Sequence, residues 1–378
     1  MAQKDGNKKV IIITSLTGFF WFLLNDISYY ISNKYDVYCV ANNTANEDIV
    51  NSIKKMGCHF IHVNFDSKRP LSIDNLVSYF ELKKIFKKYN FDILHCHTPI
   101  VAVLSRLASK KFRKKGLKVL YTSHGLAFNS LSSKKSKLIY GTIERCLAKY
   151  TDGIISINHE DYDFFRKECK TNTYYLPGVG VDISKYRIAR KTCLRDELGI
   201  PVNDIVILCI GELSVRKNHI SVVKAINKSK FKQNIHLIIL GKSITDNSIK
   251  SDIVQYSNEN SISVVFPGHV SNVADYISVC DFGCLPSLRE GLGLAGIETL
   301  AGGKPVIGSD VQGIKDYIIN DYTGMLFNPY SIESITNSID YMIINLSKFS
   351  PENCVSMARN FSKEKSENEL RIILNNYI

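Results

Sequence analysis

The sequence of 378 residues predicts an α/β protein built from two doubly wound parallel sheets. Three observations lead to this prediction. The chain is longer than one compact core usually holds, which favours two domains. Short apolar runs alternate with segments of helical spacing, as in strand–helix–strand units. A segment rich in proline and glycine, "PGVGVDISKYRIARKT" (177–192), interrupts this alternation near the middle.

Seven apolar runs in the first half predict the strands of one sheet. Their nearly continuous apolar character is typical of strands covered on both faces, which indicates a parallel sheet. The longest helical segment between them, 74–89, places Leu76, Phe80, Lys83 and Lys87 at amphipathic spacing. The runs are 9–15, 36–41, 59–64, 92–97, 118–124, 153–158 and 173–177.

The alternation begins again after the break and predicts a second domain of similar size. We place the first domain at 1–183 and the second at 184–357, followed by a terminal helix at about 358–378. Open parallel sheets bind ligands at the carboxyl ends of their strands, so the loops after the strands are expected to hold the site. The predicted strands of the second sheet are 204–212, 234–242, 262–269, 281–287 and 305–310.

The formal net charge of +12 is unevenly distributed. Residues 1–185 contain 28 Lys and Arg against 16 Asp and Glu, whereas residues 186–378 contain 20 of each. Any single basic cluster is explained by a solvated helix face. The summed asymmetry predicts that the first half meets an anionic surface, either a membrane or a nucleic acid. The clusters lie at 83–88, 110–115 ("KKFRKK") and 134–137 ("KKSK").

The amino-terminal apolar run imitates a signal peptide or a membrane anchor. The run from Val10 to Leu24 has 15 residues, is interrupted by polar residues and is shorter than the roughly 20 that span a bilayer. We expect a buried strand, a turn at Gly18 and the start of a helix instead. The ten scattered cysteines contain no C-x-x-C pair, which favours reduced thiols in a cytosolic protein over a disulfide framework.

Three strand ends in the first half carry candidate site residues. Gly18 follows the first strand, where a glycine allows either a ligand's close approach or a tight turn. His95 and His97 share one face of the strand "DILHCH", and with no third ligand evident they are read as packing or cleft-lining residues rather than a metal site. His124 ends the next strand, where it either binds a substrate hydroxyl, shuttles a proton or is purely structural.

Two loops in the second half carry the other candidates. In "IGELSVRKNH", Gly211 opens a loop that Arg216 and Lys217 close at a helix start, an arrangement suited to a diphosphate. In "PSLREGLGLAGIETL", Glu290 and Glu298 flank a glycine-rich loop and can reach sugar and ribose hydroxyls. A solvated helix face explains one such glutamate, but a pair around a glycine loop is more specific.

The same loop also spells a G-x-G-x-x-G motif. Gly291, Gly293 and Gly296, with Asp310 about 20 residues after the first, imitate a dinucleotide-binding fingerprint. That fingerprint follows an early strand directly, and here the glycines lie deep in the second domain. We therefore treat an NAD-dependent Rossmann enzyme as the less favoured alternative.

With these motifs in order, the sequence resembles the retaining glycosyltransferases of family 4, which have the GT-B fold. The resemblance covers nearly the whole chain, and its signature is the E-x7-E of Glu290 and Glu298. It implies two Rossmann-like domains with a cleft between them, and a terminal helix that packs back on the first domain. The other motifs that carry it are "HCHTP", "YTSHG", "YLPGVGVDISKY", "LIILGK", "FPGHV" and "GKPVIGSDVQGIKDYI".

The resemblance implies a role for each candidate residue. Lys217 would contact the donor diphosphate, Glu290 the donor sugar and Glu298 the ribose. His124 would line the reaction centre, with Gly18 and His97 on the acceptor side. The remaining donor-site residues would be Gly211 and Arg216 near the diphosphate, the amides of Gly291, Leu292 and Gly293 facing sugar and phosphate, and Gly268 and His269 near the base.

One position departs from many relatives, which have arginine where this chain has Glu212. Arg216 could supply the second cation for the diphosphate. A close subgroup working on surface polysaccharides resembles this chain at that position. We find no D-x-D metal motif suited to this role, and the resemblance implies a fold that does not normally need a divalent ion. We therefore expect no cofactor and a diphosphate stabilised by cations and helix amides.

The subgroup's resemblance also implies substrates and location. We expect a UDP-linked hexose or N-acetylhexosamine as donor and a polyprenyl-diphosphate-linked saccharide as acceptor, in O-antigen, capsule or exopolysaccharide synthesis. The basic first half would then bind the cytoplasmic face of the inner membrane through 110–115, 134–137 and "FFWF" (19–22). A GT-B sugar-nucleotide epimerase or phosphorylase is the alternative within the fold. A nucleic-acid-binding protein is disfavoured because no recognisable module is present.

Overall fold

The computed structural model describes residues 7–43, 47–187, 193–243 and 248–378. The chain divides into two compact units, Met1–Val179 together with Ser366–Ile378, and Gly180–Lys365. Residues 188–192 of the segment predicted to join the domains lie outside the described residues.

Parallel strands form one sheet in each unit, as the apolar runs predict. All twelve predicted strands are present, with ends that differ by a few residues. The sequence analysis missed β13, which is short, begins with glycine and contains no β-branched residue. The strands are β1 Lys9–Leu16, β2 Asp36–Asn42, β3 His59–His62, β4 Ile93–His97, β5 Lys118–Ser123, β6 Gly153–Ser156, β7 Asn172–Tyr175, β8 Ile205–Ile210, β9 Ile235–Leu240, β10 Ser263–Gly268, β11 Phe282–Leu285, β12 Val306–Ser309 and β13 Gly324–Phe327.

Helices connect successive strands and cover the sheets. Short 3₁₀ turns occur as well, of which Thr17–Leu23, Ile183–Tyr186 and Val215–Lys217 bear on the site. The α-helices are α1 Leu24–Ser32, α2 Glu47–Lys55, α3 Ile73–Tyr89, α4 Pro99–Arg113, α5 Lys134–Ala148, α6 His159–Glu168, α7 Leu194–Glu197, α8 His219–Lys228, α9 Ser248–Glu259, α10 Val273–Val279, α11 Leu294–Ala301, α12 Ile332–Asn345, α13 Pro351–Arg359 and α14 Lys363–Leu374.

The strand order of each sheet fixes where a ligand can enter. The first sheet runs β3-β2-β1-β4-β5-β6-β7 and the second runs β10-β9-β8-β11-β12-β13. In the first sheet, β1 to β3 are added towards one edge and β4 to β7 towards the other, so the strand order switches between β1 and β4. In the second sheet it switches between β8 and β11. Loops diverge at such switch points and leave a crevice at the carboxyl ends of the strands. Each unit therefore offers one crevice.

Helix α3 is present as predicted, but its buried face differs from the predicted pattern. Asn75, Ser78, Leu82 and Phe86 point into the first unit. Leu76 and Phe80 remain about half exposed. The polar Asn75 is buried because its side chain hydrogen-bonds the backbone of the segment that precedes the helix, accepting from Asp66 N and donating to the Asp66 and Arg69 carbonyls.

The terminal helix α14 packs in the core of the first unit. Leu370, Ile373 and Leu374 join the apolar cluster on one face of the first sheet. Tyr29 donates a hydrogen bond of 2.6 Å to the Asn375 side chain, and Tyr377 donates to the Asp152 carbonyl at 3.2 Å. This last helix therefore completes a core that residues before Val179 leave open.

The amino-terminal apolar run forms β1, the 3₁₀ turn Thr17–Leu23 and the beginning of α1, as predicted. Val10 to Ile13 are fully buried in the sheet. Among the residues that the structure describes, no helix combines the length and the apolar character that crossing a bilayer requires.

Candidate active site

The crevice of the second unit is built by the loops after β8 and β11. Ser214 caps the 3₁₀ turn Val215–Lys217 by accepting a hydrogen bond from Lys217 N. Asn218 then adopts a left-handed conformation and its side-chain amide donates to the Pro286 carbonyl at 3.2 Å. The Leu288 amide donates to the Arg216 carbonyl at 2.9 Å, so the two loops are tied together.

Glu290 lies at the centre of this crevice. One of its carboxylate oxygens, Oε2, receives Lys217 Nζ at 2.6 Å, Arg216 NH1 at 3.2 Å and the Ser287 hydroxyl at 3.2 Å. The structure thus brings together three residues that the sequence analysis placed in two separate loops. Ser287 was not identified from the sequence. It lies just after the end of β11, where site residues are expected, and that position could have indicated it.

The charges of this cluster balance one another. Arg216 reaches back to Glu212, with NH2 3.2 Å from Oε1, and the Ser214 hydroxyl donates to the same oxygen at 3.0 Å. Two cations therefore face two carboxylates. Arg216 is thus shared between Glu212 and Glu290.

Electrostatics favour the ionised form of Glu290. Burial raises the pKa of this carboxyl, but Lys217 and then Arg216 more than offset that effect and hold the pKa below its ordinary value. Glu290 is therefore a carboxylate at neutral pH. It can accept hydrogen bonds from sugar hydroxyls, and an anion arriving at the cations would compete with it.

The glycine-rich loop has a structural explanation of its own. Gly293 has a φ of 76°, a left-handed conformation that favours glycine at the start of α11. A Cβ on Gly296 would lie 2.4 Å from the Tyr317 hydroxyl, which itself donates to the Gly293 carbonyl at 3.0 Å. A Cβ on Gly313 would lie 2.3 Å from the Gly291 carbonyl. These glycines admit neighbouring protein groups, so their spacing does not by itself indicate a dinucleotide.

Glu298 has a different partner from Glu290. It lies in the second turn of α11 and hydrogen-bonds Tyr186, the last residue of the 3₁₀ turn Ile183–Tyr186. Burial raises the pKa of this carboxyl, and the Tyr186 hydroxyl partly offsets the rise. The sequence analysis had no signal for Tyr186 because the two residues are more than 100 positions apart.

A cavity of about 340 Å³ opens at the carboxyl ends of β8, β9 and β10. Its walls include Gly211, Glu212 and the exposed His269. A Cβ on Gly241 would lie 2.0 Å from the Gly211 carbonyl, so only glycine lets these strand ends approach. Gly268, which precedes His269, has a φ of 84°, a left-handed conformation that favours glycine. Glu212 belongs both to this cavity and to the charged cluster, which makes the two features neighbours.

The crevice of the first unit carries the predicted acceptor residues. His97 Nδ1 lies 3.1 Å from His124 Nε2, so the ends of β4 and β5 meet through a hydrogen bond. The Phe19 ring packs edge-on against His124 with centroids 4.9 Å apart, and the Ser15 amide donates to the Thr98 hydroxyl at 3.2 Å. Gly18 lies in the same loop as Phe19, which was predicted from the sequence to contact the membrane as part of the run 19–22 and not to pack at this site.

Behind these residues lies a buried polar cluster that includes Asp26 of α1. His95 Nδ1 is 3.4 Å from Asp26 Oδ1, and His95 Nε2 is 2.8 Å from the Thr122 hydroxyl. Burial raises the pKa of Asp26 to about 7 and, with His124, lowers the pKa of His95 to about 3, so burial disfavours the charged form of each group. Asp26, His95 and His97 place one ligand atom each within 4.8 Å of one another. Asp26 is the third potential ligand that the sequence analysis did not identify.

Fold and site together define a class of protein. Two parallel sheets, each with a crevice at its switch point, and two cations beside a cavity are the arrangement of an α/β enzyme that binds an anionic ligand at the carboxyl ends of its strands.

Comparison with known proteins is consistent with that class. The family model "Glycosyl transferases group 1" matches residues 191–361, and the model "Glycosyl transferase 4-like" matches residues 13–158. The putative glycosyltransferase EpsD of Bacillus subtilis is 32% identical over 68% of this chain and 69% of its own length. An Escherichia coli UDP-Gal:α-D-GlcNAc-diphosphoundecaprenol α-1,3-galactosyltransferase is 28% identical over 71% and 70%.

The fold also has solved counterparts. The crystal structure of Anabaena HepE in complex with UDP and glucose superimposes with a TM-score of 0.75, at 16% identity, over 98% of this chain and 100% of that one. The fold is therefore GT-B, as the resemblance implied. The chain belongs to the group 1 glycosyltransferases, with a family 4-like first half.

Proposed function

We propose that this glycosyltransferase moves a hexose or N-acetylhexosamine, with retention of configuration, from a UDP-sugar to a polyprenyl-diphosphate-linked saccharide. The reaction would serve the synthesis of a bacterial surface polysaccharide. The observation that carries the proposal is the cluster of Glu290, Lys217 and Arg216 beside the cavity of the second unit.

We infer one orientation for the donor at this cluster. The base and ribose would enter the cavity lined by Gly211, Gly241 and His269, whose volume is about 340 Å³. The diphosphate would then lie at Lys217 and Arg216. Arg216 is next to the cavity because its partner Glu212 lines the cavity wall. Arrival of two phosphates would draw these cations away from the carboxylates. Glu290, released from part of its ion pairing, would accept hydrogen bonds from the sugar.

Bond cleavage in this arrangement is electrostatic catalysis. The bond between the sugar's anomeric carbon and the phosphate oxygen breaks, and negative charge develops on the departing diphosphate. Lys217 and Arg216 stabilise that charge as it forms. Removing one preorganised group of this kind lowers the rate by about 10²–10³. The acceptor hydroxyl attacks from the face that the diphosphate leaves, and its proton passes to a phosphate oxygen.

The acceptor is assigned to the first unit, at His97, His124 and the loop that contains Gly18. Burial lowers the pKa of His124 to about 4, so the imidazole is neutral at physiological pH. A neutral imidazole bonded to His97 can orient a hydroxyl without adding charge. We assign His124 this role of orienting the acceptor hydroxyl.

The proposal involves no cofactor and no divalent metal. The two cations of the second unit supply the charge that a metal would supply at a diphosphate. The cluster of Asp26, His95 and His97 lies in the first unit, where His95 is hydrogen-bonded within the protein to Tyr30 and Thr122. Full transfer activity in the presence of EDTA would support this part of the proposal.

The donor and acceptor classes are supported by relatives. The Escherichia coli relative is named for a UDP-galactose donor and a diphosphoundecaprenol-linked acceptor, and the HepE structure contains UDP. No nucleic acid is part of the proposal. A sugar-nucleotide epimerase or a phosphorylase of the same fold remains the alternative, and acceptor-dependent transfer distinguishes the three.

We further propose that the enzyme binds the cytoplasmic face of the inner membrane peripherally. Trp21 and Phe22 are about half exposed in the loop after β1, and Lys134 and Lys135 are exposed at the start of α5. These residues lie at the carboxyl-end edge of the first sheet. Residues 110–115 form the last turn of α4 and the residues just after it, at the opposite edge, where Arg113 pairs with Asp152 at 2.7 Å. The structure therefore separates clusters that the sequence analysis combined.

The test begins with a panel of nucleotide sugars. Thermal shift would identify the nucleotide and sugar that stabilise the protein, and transfer onto a polyprenyl-diphosphate N-acetylhexosamine would be followed by mass spectrometry. We expect stabilisation by a UDP-sugar, and a product one sugar heavier whose new linkage has the donor's anomeric configuration. Release of free sugar epimer or sugar phosphate without an acceptor would contradict the proposal.

A further inference from the structure

The histidine pair at the ends of β4 and β5 joins a buried side chain to an accessible one. His97 is fully buried, whereas His124 is only partly buried. The hydrogen bond between His97 Nδ1 and His124 Nε2 is 3.1 Å long. His97 is therefore out of reach of an acceptor, and what it contributes to the site must pass through His124.

Both rings are neutral at physiological pH. Burial lowers the pKa of His124 to about 4 and holds the pKa of His97 well below its ordinary value. A neutral imidazole carries one proton, which lies on either Nδ1 or Nε2. The hydrogen bond between the rings therefore has two possible directions, and each direction fixes which nitrogen of His124 carries its proton.

The second ring nitrogen of His97 decides between the two directions. His97 Nε2 is buried and has no hydrogen-bond partner among the residues that the structure describes. For backbone groups, a buried N–H without a partner is rarer than a buried acceptor with an unused lone pair, and the same cost of burial applies to a ring N–H. The proton of His97 therefore belongs on Nδ1, from which it is donated to His124 Nε2.

The neighbouring carboxyl group does not reverse this choice. Asp26, His95 and His97 place one polar atom each within 4.8 Å of one another, but Asp26 Oδ1 lies 3.4 Å from His95 Nδ1, and His97 Nε2 has no hydrogen bond to it. An ionised carboxylate would attract a proton to His97 Nε2, and burial disfavours that charged form of Asp26. A protonated carboxyl group can donate to a bare nitrogen, which favours the same tautomer of His97.

This direction of the bond leaves His124 with its proton on Nδ1. That nitrogen is accessible, and no group in the described part of the chain hydrogen-bonds it. The Phe19 ring packs edge-on against His124, with centroids 4.9 Å apart, and restrains the orientation of the imidazole. The accessible nitrogen of His124 is therefore a hydrogen-bond donor in a fixed direction.

A donor at this position suits the transfer step. A hydroxyl group of the acceptor has one proton and two lone pairs. One lone pair accepts the Nδ1–H of His124, and the other forms the bond to the anomeric carbon while the bond from that carbon to the diphosphate breaks. The hydroxyl proton stays free to pass to a phosphate oxygen. A bare Nδ1 would instead draw that proton towards His124 and away from the phosphate.

We propose that His97 is a positioning residue, which donates its Nδ1–H to His124 and so fixes the tautomer in which His124 Nδ1–H is directed at the oxygen of the acceptor hydroxyl. The inference rests on the proposed function for the identity of the acceptor. The tautomer of the histidine pair does not depend on it, so the two are tested separately.

The tautomer is measured by nitrogen NMR of the whole chain, isotopically labelled in its histidines, at neutral pH and without substrate. Protonated and bare ring nitrogens resonate well apart, and their couplings to the ring protons distinguish Nδ1 from Nε2. The signals of His124 are those that disappear in His124→Gln. We expect a protonated Nδ1 and a bare Nε2, and a protonated Nε2 would overturn the proposal.

Three substitutions connect the tautomer with the reaction. His97→Asn keeps an amide donor near the position of Nδ1, whereas His97→Leu removes the bond to His124. Thr122→Val is the matched control, because it removes a partner of His95 from the same buried cluster and leaves the bond between His97 and His124 in place.

His97→Leu should lose the Nδ1–H tautomer of His124 and lower kcat about tenfold, the effect of one hydrogen bond, with the KM for the donor unchanged. His97→Asn and Thr122→Val should keep the tautomer and most of the activity. Equal losses of kcat in His97→Leu and Thr122→Val would overturn the proposal, since loosening of the cluster would then explain both. So would wild-type turnover by His97→Leu.

The two measurements separate this inference from the proposed function. A spectrum with His124 protonated at Nε2, in a protein that transfers the sugar, would reject the role of His97 and keep the function. The predicted spectrum in a protein that transfers nothing would reject the function and keep the pairing of the two rings.

Discussion

Glu290 shows how much of a site one side chain can organise. Its Oε2 atom receives a lysine, an arginine and a serine hydroxyl, and this arrangement holds both cations where a diphosphate would bind. The sequence identified Glu290, Lys217 and Arg216 individually because each follows a strand end. It could not identify their contact, since the loops that hold them are 73 and 74 positions apart.

The glycine spacing in the same loop matches a dinucleotide-binding motif, but a packing contact explains it. Gly296 is required by the Tyr317 ring, and that requirement depends on a contact between distant segments. No nearby sequence pattern reveals it. The G-x-G-x-x-G match therefore reports close packing of the loop against Tyr317.

The first prediction concerns this packing. Gly296→Ala should lower the free energy of unfolding by about 1–3 kcal/mol, because the added methyl group overlaps the Tyr317 ring. The effect should be smaller in a Tyr317→Phe background, since the closest overlap is with the hydroxyl. Urea denaturation of the four proteins measures this coupling, and additive effects would show that the two residues do not interact in this way.

The second prediction concerns the pH dependence of stability, which depends on Asp26 and the three histidines near it. Burial lowers the pKa of His95 to about 3 and that of His124 to about 4, and it also holds the pKa of His97 well below its ordinary value. The unfolded chain therefore binds more protons below about pH 6.5, and stability falls as pH falls. Asp26 acts in the opposite direction: its pKa of about 7 means that the folded state binds the extra proton between about pH 4 and 7.

Asp26→Asn should consequently steepen the loss of stability between pH 7 and pH 5. The histidines each cost about 2 kcal/mol at pH 5, and the wild-type aspartate offsets part of that cost by taking up a proton. Urea unfolding followed by the fluorescence of Trp21, the single tryptophan of the chain, reports on the first unit. A shallower pH dependence in the variant would contradict the assignment.

At the scale of elements, helix α14 shows what the chain pattern does and does not specify. Its amphipathic spacing predicts a helix. That this helix belongs to the first unit was expected from the resemblance to family 4, since nothing in residues 363–374 specifies a sheet almost 200 positions away. Leu370, Ile373 and Leu374 lie in the apolar cluster on one face of the first sheet, which makes the helix part of that core.

Two substitutions on α14 test this assignment. Leu374→Ala removes a fully buried side chain and should cost about 2–5 kcal/mol of stability, whereas Ile372→Ala, at a position 61% exposed, should change stability by less than about 0.5 kcal/mol. The loss should appear in the unfolding transition reported by Trp21. Equal effects of the two substitutions would show that α14 is not packed as described.

Elements also show where apolar patterns fail. The strands of both sheets were predictable because buried parallel strands are apolar on both faces. Helix α3 exposes Leu76 and Phe80 while it buries Asn75 and Ser78, because a preceding turn uses the Asn75 amide. Spacing alone selects a stripe of the helix. The tertiary partners decide which stripe is buried.

For the whole molecule, the placement of basic residues refines the prediction from net charge. The summed excess in residues 1–185 indicated an anionic partner without indicating a direction. In the structure, Lys134 and Lys135 share the carboxyl-end edge with Trp21 and Phe22, whereas Lys114 and Lys115 lie at the other edge. One edge is therefore expected to face the membrane.

Charge reversal at the two edges tests this orientation. Lys134→Glu/Lys135→Glu should reduce flotation with anionic liposomes and weaken its dependence on salt, since each lysine near such a surface contributes about 1 kcal/mol. Lys114→Glu/Lys115→Glu makes the same charge change at the opposite edge and should have a smaller effect. Equal losses would indicate that net charge alone governs binding, and absence of salt-sensitive binding in wild type would reject membrane association.

The central claim is that Lys217 stabilises the departing diphosphate of a sugar donor. The most direct measurement compares kcat for glycosyl transfer in wild type, Lys217→Ala and Lys228→Ala, the last removing an exposed lysine of α8 in the same unit. We predict that Lys217→Ala lowers kcat by about 10²–10³ or abolishes transfer, with the second unit still folded, while Lys228→Ala transfers at the wild-type rate. Near-normal turnover by Lys217→Ala would contradict the claim.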